Sequence, residues 1–198
     1  MSDLRHILVT VIGGGFVGLP LAAHIAGNVG ARVTVVDVRD REAVIARVHE
    51  RDLSETIARA GDRLQFVLAG TVEAKAAMGM ASMTVICVPT PSGEDGSCSI
   101  DLVRQAAKAW QEAGACGVLA IKSTVPPGTT RMIVEQLIRD DDGVDAGYTQ
   151  RVVFWPEFMA EGTAMADLRN PVRTLVGFVN SSTGTLPPSV ATLFGRLA

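Results

Sequence analysis

The feature that most constrains this chain is a glycine-rich turn between an apolar run and a helical pattern. Residues 7–12 form the apolar run, and the stretch GGGFVG follows at residues 13–18. Gly13 permits a tight exit from a strand, Gly15 lacks the Cβ that would hold a phosphate away from the backbone, and Gly18 lets a helix pack close to a sheet. The helix N-terminus presents unpaired N–H groups to negative charge. The turn therefore predicts a site for the pyrophosphate of a dinucleotide.

A second apolar run, residues 33–36, ends at Asp37, nineteen positions after the last glycine of the turn. With the helical pattern at residues 19–26 it completes a βαβ unit. Asp37 is placed to accept both ribose hydroxyls of NAD, whereas the 2′-phosphate of NADP would meet its charge at close range. The pattern favours NAD, although Arg39 and Arg41 argue the other way. The alternative is that Asp37 is only a solvated residue at a strand end.

Bulk properties exclude several classes of protein. A chain of 198 residues fits one α/β domain spanning residues 1–198, and its net charge of −3 argues against a nucleic-acid or anionic-lipid partner. No apolar run approaches the roughly 20 residues of a membrane span, and no export signal opens the chain, so we expect a soluble, cytoplasmic protein. Three cysteines without CxxC spacing predict reduced thiols and no metal site.

The order of apolar runs and helical patterns predicts a doubly wound parallel sheet in three α/β/α layers, the Rossmann fold. Strands are predicted at residues 7–12, 33–37, 64–67, 84–88, 118–122, 152–154 and around 174–178. Helices are predicted at residues 19–26, 41–59, 72–80, 101–113 and 129–139. Residues 140–143 are predicted to form a loop, and residues 181–198 a linker followed by a short helix.

Proline and hydroxyl residues follow three of these strands, at residues 88–91, 123–130 and 155–163. Because ligands lie beyond the carboxyl ends of parallel strands, the three loops predict a rigid, polar crevice over a cofactor. The alternative is that the prolines only end strands, and that Thr124 or Thr129 only caps a helix.

Together these segments resemble the nucleotide-sugar dehydrogenases of the UDP-glucose and GDP-mannose 6-dehydrogenase type. Residues 13–20 resemble the family's GxGYVGLP turn, residues 87–91 its CVPTP, residues 123–130 its STVPxGTT, and residues 156–173 its PEFLxEGTAxxDxxNPDR. The resemblance implies oxidation of the 6-hydroxymethyl of a sugar nucleotide to a carboxylate with two NAD, through an aldehyde and a cysteine-bound thioester. It also implies a role in polysaccharide biosynthesis.

The resemblance assigns roles by position. Cofactor binding falls to Gly13, Gly15, Phe16, Val17, Gly18, Asp37, Arg41, Val88, Pro89, Thr90, Pro91, Ser123, Thr124, Val125 and Glu161. Substrate binding falls to Phe158, Met159, Ala160 and Glu161. Glu157 matches the glutamate that transfers protons during thioester hydrolysis, and the alternative is a water-exposed carboxylate at a strand end.

The chain also departs from the family pattern. It contains no segment like the family's GGxCxxKD, and Cys87, Cys98 and Cys116 are predicted to be inert. Residues 38–63 are shorter than usual and retain only Glu50-Arg51-Asp52-Leu53 of the family's EPGL motif, while Trp155 replaces an asparagine or serine.

Two hypotheses follow. The chain is either the NAD-binding half of a 6-dehydrogenase, completed by the family's central helix and UDP-binding domain or by a second chain, or a non-catalytic NAD- or nucleotide-binding module. Simple hydride transfer to a small alcohol is disfavoured, because no lysine or histidine is predicted where a base could serve it. His6, His24 and His49 lie before a strand or within helices.

Overall fold

The computed structural model describes residues 4–179 and 184–198, so the predicted linker at residues 181–183 lies outside the described residues. Seven strands form one sheet in the order β3-β2-β1-β4-β5-β6-β7. The strands are β1 (Leu8–Ile12), β2 (Arg32–Asp37), β3 (Leu64–Leu68), β4 (Met83–Ile86), β5 (Val118–Ile121), β6 (Val152–Phe154) and β7 (Gly177–Phe178). All neighbouring pairs are parallel except β6 and β7, which are antiparallel. This topology confirms the predicted doubly wound sheet, and the strand order reverses between β1 and β4.

Helices cover both faces of the sheet. They are α1 (Gly18–His24), α2 (Arg41–Ala46), α3 (Leu53–Ala60), α4 (Val72–Met80), α5 (Asp101–Glu112), α6 (Thr129–Asp140), α7 (Tyr148–Arg151), α8 (Ala164–Arg169) and α9 (Pro188–Arg196). One core cluster joins the sheet to α1, α2, α3, α8 and α9, and a second joins it to α4, α5, α6 and α7. Residues of β5 alternate between the clusters, since side chains along a strand point to opposite faces.

The structure corrects the predicted helix at residues 41–59, which is two helices. Helix α2 ends at Ala46, and the chain turns before α3 starts at Leu53. Asp52, at the start of α3, has a left-handed backbone with φ of 64°. The predicted helix therefore ignored a turn that no glycine or proline marks in the sequence.

Smaller differences concern the ends of elements. Helix α1 continues into a π-helical turn, Ile25–Val29, that ends at Gly30 with φ of +91°. Strand β4 ends at Ile86 rather than at residue 88, and β7 is only two residues long. The short helices α7 and α8 were not predicted, because four to six residues give too little periodicity to detect.

No helix in the described part of the chain combines the length and apolar character needed to cross a lipid bilayer.

Candidate functional site

The glycine turn between β1 and α1 is fixed by two close approaches. Gly13 has φ of +97°, and a Cβ on it would lie 2.4 Å from the carbonyl oxygen of Cys87. A Cβ on Gly18 would lie 1.8 Å from the carbonyl oxygen of Gly13. A Cβ on Gly15, by contrast, would meet no atom of the described residues within 4 Å. Gly13 and Gly18 are therefore required by the turn itself, whereas Gly15 faces open space.

Asp37 ends β2 and is bound to the glycine turn. Its Oδ2 accepts a hydrogen bond from the Gly14 N–H at 2.8 Å, and its Oδ1 accepts one from the Arg39 N–H at 3.0 Å. The Arg39 guanidinium lies 3.5 Å from the same Oδ1, and the Asp37 side chain is only 11% exposed. Two backbone donors thus fix the orientation of this carboxylate.

A cavity of about 300 Å³ opens between the glycine turn, the end of β2 and the end of β4. It is lined by Gly13, Gly14, Gly15, Phe16, Val17, Asp37, Arg39, Val44, Arg47, Cys87, Val88 and Pro89. Seven of the predicted cofactor residues are in this list, and Gly18 lies directly behind the turn. The open space beside Gly15, the backbone of the turn that leads into α1 and the carboxylate at the end of β2 fit a dinucleotide.

Two arginines differ from the predicted arrangement. The guanidinium of Arg41 lies 5.7 Å from the ring centre of Phe66, beside β3 and away from the cavity. Arg47, which follows the last residue of α2, lines the cavity instead. Sequence reasoning missed Arg47, because its direction depends on where α2 ends.

The remaining predicted cofactor residues lie in the loops after β4 and β5, which hydrogen bonds tie together. The Ser123 hydroxyl donates to the carbonyl oxygen of Val88 at 2.8 Å. The Cys98 sulfur lies 3.9 Å from the carbonyl oxygens of both Thr90 and Thr124. Pro91 accepts a hydrogen bond from the Ser99 N–H at 2.9 Å. Val125 packs against the core cluster on the α5 side of the sheet.

Glu157, which follows β6, is held by two backbone donors and by an ion pair. Its Oε1 accepts hydrogen bonds from the backbone N–H groups of Phe158 at 2.7 Å and Met159 at 2.6 Å. Its Oε2 lies 2.8 Å from the ammonium nitrogen of Lys122, whose side chain is 4% exposed. That nitrogen also lies 4.2 Å from the ring centre of Trp155. Glu157 is therefore a largely buried, ion-paired carboxylate.

Lys122 is a second residue that sequence reasoning missed. It comes directly after β5, and Glu157 comes shortly after the neighbouring strand β6, so both lie at the carboxyl edge of the sheet. The sequence feature that could have revealed this pair is that the two residues follow adjacent strands. A buried lysine paired with a carboxylate near a predicted active site is often catalytic. The same pairing is also found in ion pairs that only stabilise a fold.

The loop that follows Glu157 is held by carboxylates from two other elements. Asp167 of α8 accepts from the Ala160 N–H at 3.0 Å and from the Thr163 hydroxyl at 2.8 Å. Glu50 accepts from the Gly162 N–H at 2.8 Å and from the Ala164 N–H at 3.0 Å. The EPGL-like remnant thus reaches the loop predicted to bind substrate.

Within this loop the remaining predicted residues are accessible. Glu161 and Ala160 are exposed, and Met159 is half-buried. Phe158 is 46% exposed, and the Arg173 guanidinium lies 5.1 Å from its ring centre. A small cavity of about 60 Å³ separates Glu157 and Lys122 from Arg173.

The cysteines are free thiols. Burial raises the pKa of the Cys87 thiol to about 12, while the nearby charges of Lys122 and Glu157 act on it in opposite directions. Cys87 is therefore protonated at neutral pH and is a poor nucleophile, as predicted. Among the described residues, no three histidine, cysteine or acidic side chains group closely enough to hold a metal ion.

His24 in α1 is buried and does not line the cavity beside the glycine turn. Burial, with a smaller contribution from the charge of Arg169, lowers its pKa from 6.5 to about 4. Its Nδ1 lies 3.0 Å from the side-chain nitrogen of Asn28. A neutral histidine is therefore buried in α1, within reach of the charge of Arg169 in α8.

A parallel sheet whose order reverses beside a glycine turn, with an acidic residue ending β2, defines the dinucleotide-binding domain of a dehydrogenase. The family model described as UDP-glucose/GDP-mannose dehydrogenase family, NAD binding domain, matches residues 7–196. The chain belongs to this family, of which it forms the NAD-binding domain, and NAD is its cofactor. The resemblance inferred from the sequence motifs is thereby confirmed.

Curated relatives have similar sequences over most of the chain. A UDP-glucose 6-dehydrogenase of Pseudomonas aeruginosa is 37% identical over 191 residues, which cover 88% of this chain and 39% of the relative. The UDP-glucose 6-dehydrogenase AglM of Haloferax volcanii is 32% identical over 180 residues, covering 85% of this chain and 40% of the relative. The chain therefore spans about two fifths of the length of these relatives.

Solved structures agree with the fold. A ternary complex of GDP-mannose dehydrogenase from Pseudomonas aeruginosa has a TM-score of 0.80 at 26% identity, covering 96% of this chain and 44% of that chain. A UDP-glucose dehydrogenase from Pyrobaculum islandicum has a TM-score of 0.77 at 28% identity, covering all of this chain and 46% of that one.

Proposed function

We propose that this chain is the cofactor-binding half of an NAD-dependent 6-dehydrogenase that oxidises a sugar nucleotide, such as UDP-glucose, to the corresponding uronate. The single observation that carries the proposal is the meeting, at one sheet edge, of an NAD-binding turn and an ion-paired glutamate in a PEF motif. The relatives named UDP-glucose 6-dehydrogenase and GDP-mannose dehydrogenase support the substrate class.

Different residues of this chain would have different roles in the proposed reaction. The glycine turn and Asp37 would hold the dinucleotide, and the loops after β4 and β5 would line its nicotinamide end. When bound, NAD accepts hydride from the alcohol carbon. Lys122 pairs with Glu157 and fixes the direction of its side chain, and the backbone of residues 158–160 would position the sugar.

The proposed reaction needs a nucleophilic cysteine segment that this sequence does not contain. Further residues of the same polypeptide or a second chain would supply it, together with the sugar-nucleotide site. We therefore expect the 198-residue chain to bind NAD without sustained turnover. Cytoplasmic location and a role in polysaccharide biosynthesis are part of this proposal, and they fit an enzyme that uses NAD and an activated sugar.

Titration calorimetry tests the proposal. NAD should bind the wild-type chain, and Asp37→Ala should weaken binding by about 1–3 kcal/mol through loss of charge-assisted hydrogen bonds. Asp62→Ala removes an exposed carboxylate of the turn before β3 and is the matched control, which should bind NAD normally. Unchanged affinity in Asp37→Ala would contradict our placement of the ribose, and steady NADH production from UDP-glucose by the chain alone would contradict the need for a second half.

A second function, a binding module with no catalysis in any complex, is favoured by the way in which Glu157 is held. The two backbone donors and the cation beside its carboxylate all come from this chain, so the group is as well suited to holding a loop as to moving a proton. Adding a polypeptide that contains the family's cysteine segment decides between the two: recovered NADH production excludes the module, and its absence in a formed complex favours it.

A further inference from the structure

The cavity beside the glycine turn has positively charged side chains close to Asp37. Among the described residues that line it, the charged side chains are Asp37, Arg39 and Arg47. Two guanidinium groups against one carboxylate leave this lining with a net positive charge. The lining therefore suits an anionic ligand.

The carboxylate of Asp37 is also less free than it would be in an open strand end. Both of its oxygens accept backbone N–H groups, from Gly14 and Arg39, and its charge is partly offset by the Arg39 guanidinium 3.5 Å away. Repulsion of a neighbouring phosphate by Asp37 is reduced accordingly, because the guanidinium lies within a few ångströms of the same charge.

Arg47 reaches the cavity because helix α2 stops early. Its backbone N–H still bonds to the carbonyl of Val44 at 3.4 Å, and the chain then turns toward Glu50 and α3. Arg39 and Arg47 are both exposed. Neither side chain has to leave a buried position in order to meet a ligand.

We propose that this cavity binds NADP as well as NAD, with Arg39 and Arg47 holding the 2′-phosphate. A guanidinium beside the end of β2 is the group that accommodates this phosphate in dinucleotide sites, and its planar donors match phosphate oxygens in pairs. The proposal rests on the assignment of the cavity as the dinucleotide site and extends it to a second ligand.

Calorimetric titration of the intact chain with NAD and, separately, with NADP tests this. The dissociation constant for NADP should lie within about tenfold of that for NAD. In the double variant Arg39→Gln/Arg47→Gln, NADP binding should weaken by about 30-fold or more and NAD binding by less than about threefold, as expected for the loss of charge-assisted hydrogen bonds. Arg41→Gln is the matched control, because Arg41 lies beside Phe66, and it should leave both constants unchanged.

The possible outcomes distinguish a failure of this inference from a failure of the proposed NAD site. NAD binding with NADP more than about 100-fold weaker would overturn the inference and leave the NAD site intact. Equal weakening of both nucleotides in the double variant would overturn the role of the arginines at the 2′-phosphate and would point to the shared pyrophosphate. A chain that binds neither nucleotide would overturn the cavity assignment and this inference with it. Circular dichroism of each variant verifies that the fold is retained.

Discussion

The glycine turn and the loop after β6 are built in opposite ways. In the turn, backbone lies against backbone, and Gly13 and Gly18 leave no room for side chains. In the loop of residues 157–164, the backbone N–H groups are held by the carboxylates of Glu157, Asp167 and Glu50. Steric exclusion thus shapes the cofactor side, while charged side chains shape the predicted substrate side. The first should fail when a side chain is added at Gly13 or Gly18, and the second should respond to the loss of a single carboxylate.

The substitution Gly18→Ala should have the largest effect and tests the steric account of the glycine turn. The new Cβ would lie 1.8 Å from a backbone oxygen, so the turn must rearrange. We expect a loss of about 3 kcal/mol or more in the free energy of unfolding, measured by urea denaturation. Gly15→Ala is the matched control, since its Cβ meets no atom of the described residues within 4 Å. Equal destabilisation by the two substitutions would contradict the steric account.

Lys122→Met tests the charged side of the comparison. It leaves Glu157 largely buried without its cation, which should lower the free energy of unfolding by about 3 kcal/mol. The double variant Lys122→Met/Glu157→Gln removes both charges and should recover a substantial part of that loss. A double variant no more stable than Lys122→Met would show that the ion pair is not what the lysine contributes.

His24 predicts how the stability of the fold depends on pH. Its folded pKa of about 4 lies below the unfolded value of 6.5, so the unfolded chain binds the proton more tightly. The resulting stability is complete above pH 6.5 and is lost as the pH falls toward 4, by on the order of 2–3 kcal/mol. Urea denaturation across this range should show a flatter profile for His24→Gln than for wild type. His49→Gln, at an exposed histidine, should keep the wild-type profile, and identical profiles for all three proteins would contradict the assignment.

The smallest expected effect is that of Glu50→Gln. The amide retains one acceptor, so the free energy of unfolding should fall by only about 1 kcal/mol. Hydrogen exchange should nevertheless quicken at the Gly162 and Ala164 amides, which Glu50 holds. The Ala160 amide, held by Asp167, is the internal control and should exchange at its wild-type rate. Unchanged exchange at Gly162 would mean that the loop does not depend on Glu50.

The contrast between the regions also explains what the sequence could and could not predict. Gly13, Gly18 and Asp37 were found because a steric requirement leaves a fixed spacing along the chain. The pair of Lys122 with Glu157, and the contact of Glu50 with Gly162, join residues far apart in sequence and obey no spacing. Arg47 was missed for a third reason. No glycine or proline marks the turn after Ala46, so the sequence did not show that Arg47 faces the cavity, and Arg41 was assigned from the family resemblance alone.

Trp155 has a further consequence for experiments. Its indole lies beneath the Lys122 ammonium and meets the ring of Phe194 in α9 edge-on at 4.8 Å. The other tryptophan, Trp110, is fully buried in the core on the opposite face of the sheet. Because indole emission shifts with nearby charge, the emission wavelength of Trp155 should report changes in the position of the Lys122 ammonium. Replacing Trp110 by phenylalanine would leave Trp155 as the single tryptophan. Its fluorescence would then report structural changes at the sheet edge without an external label.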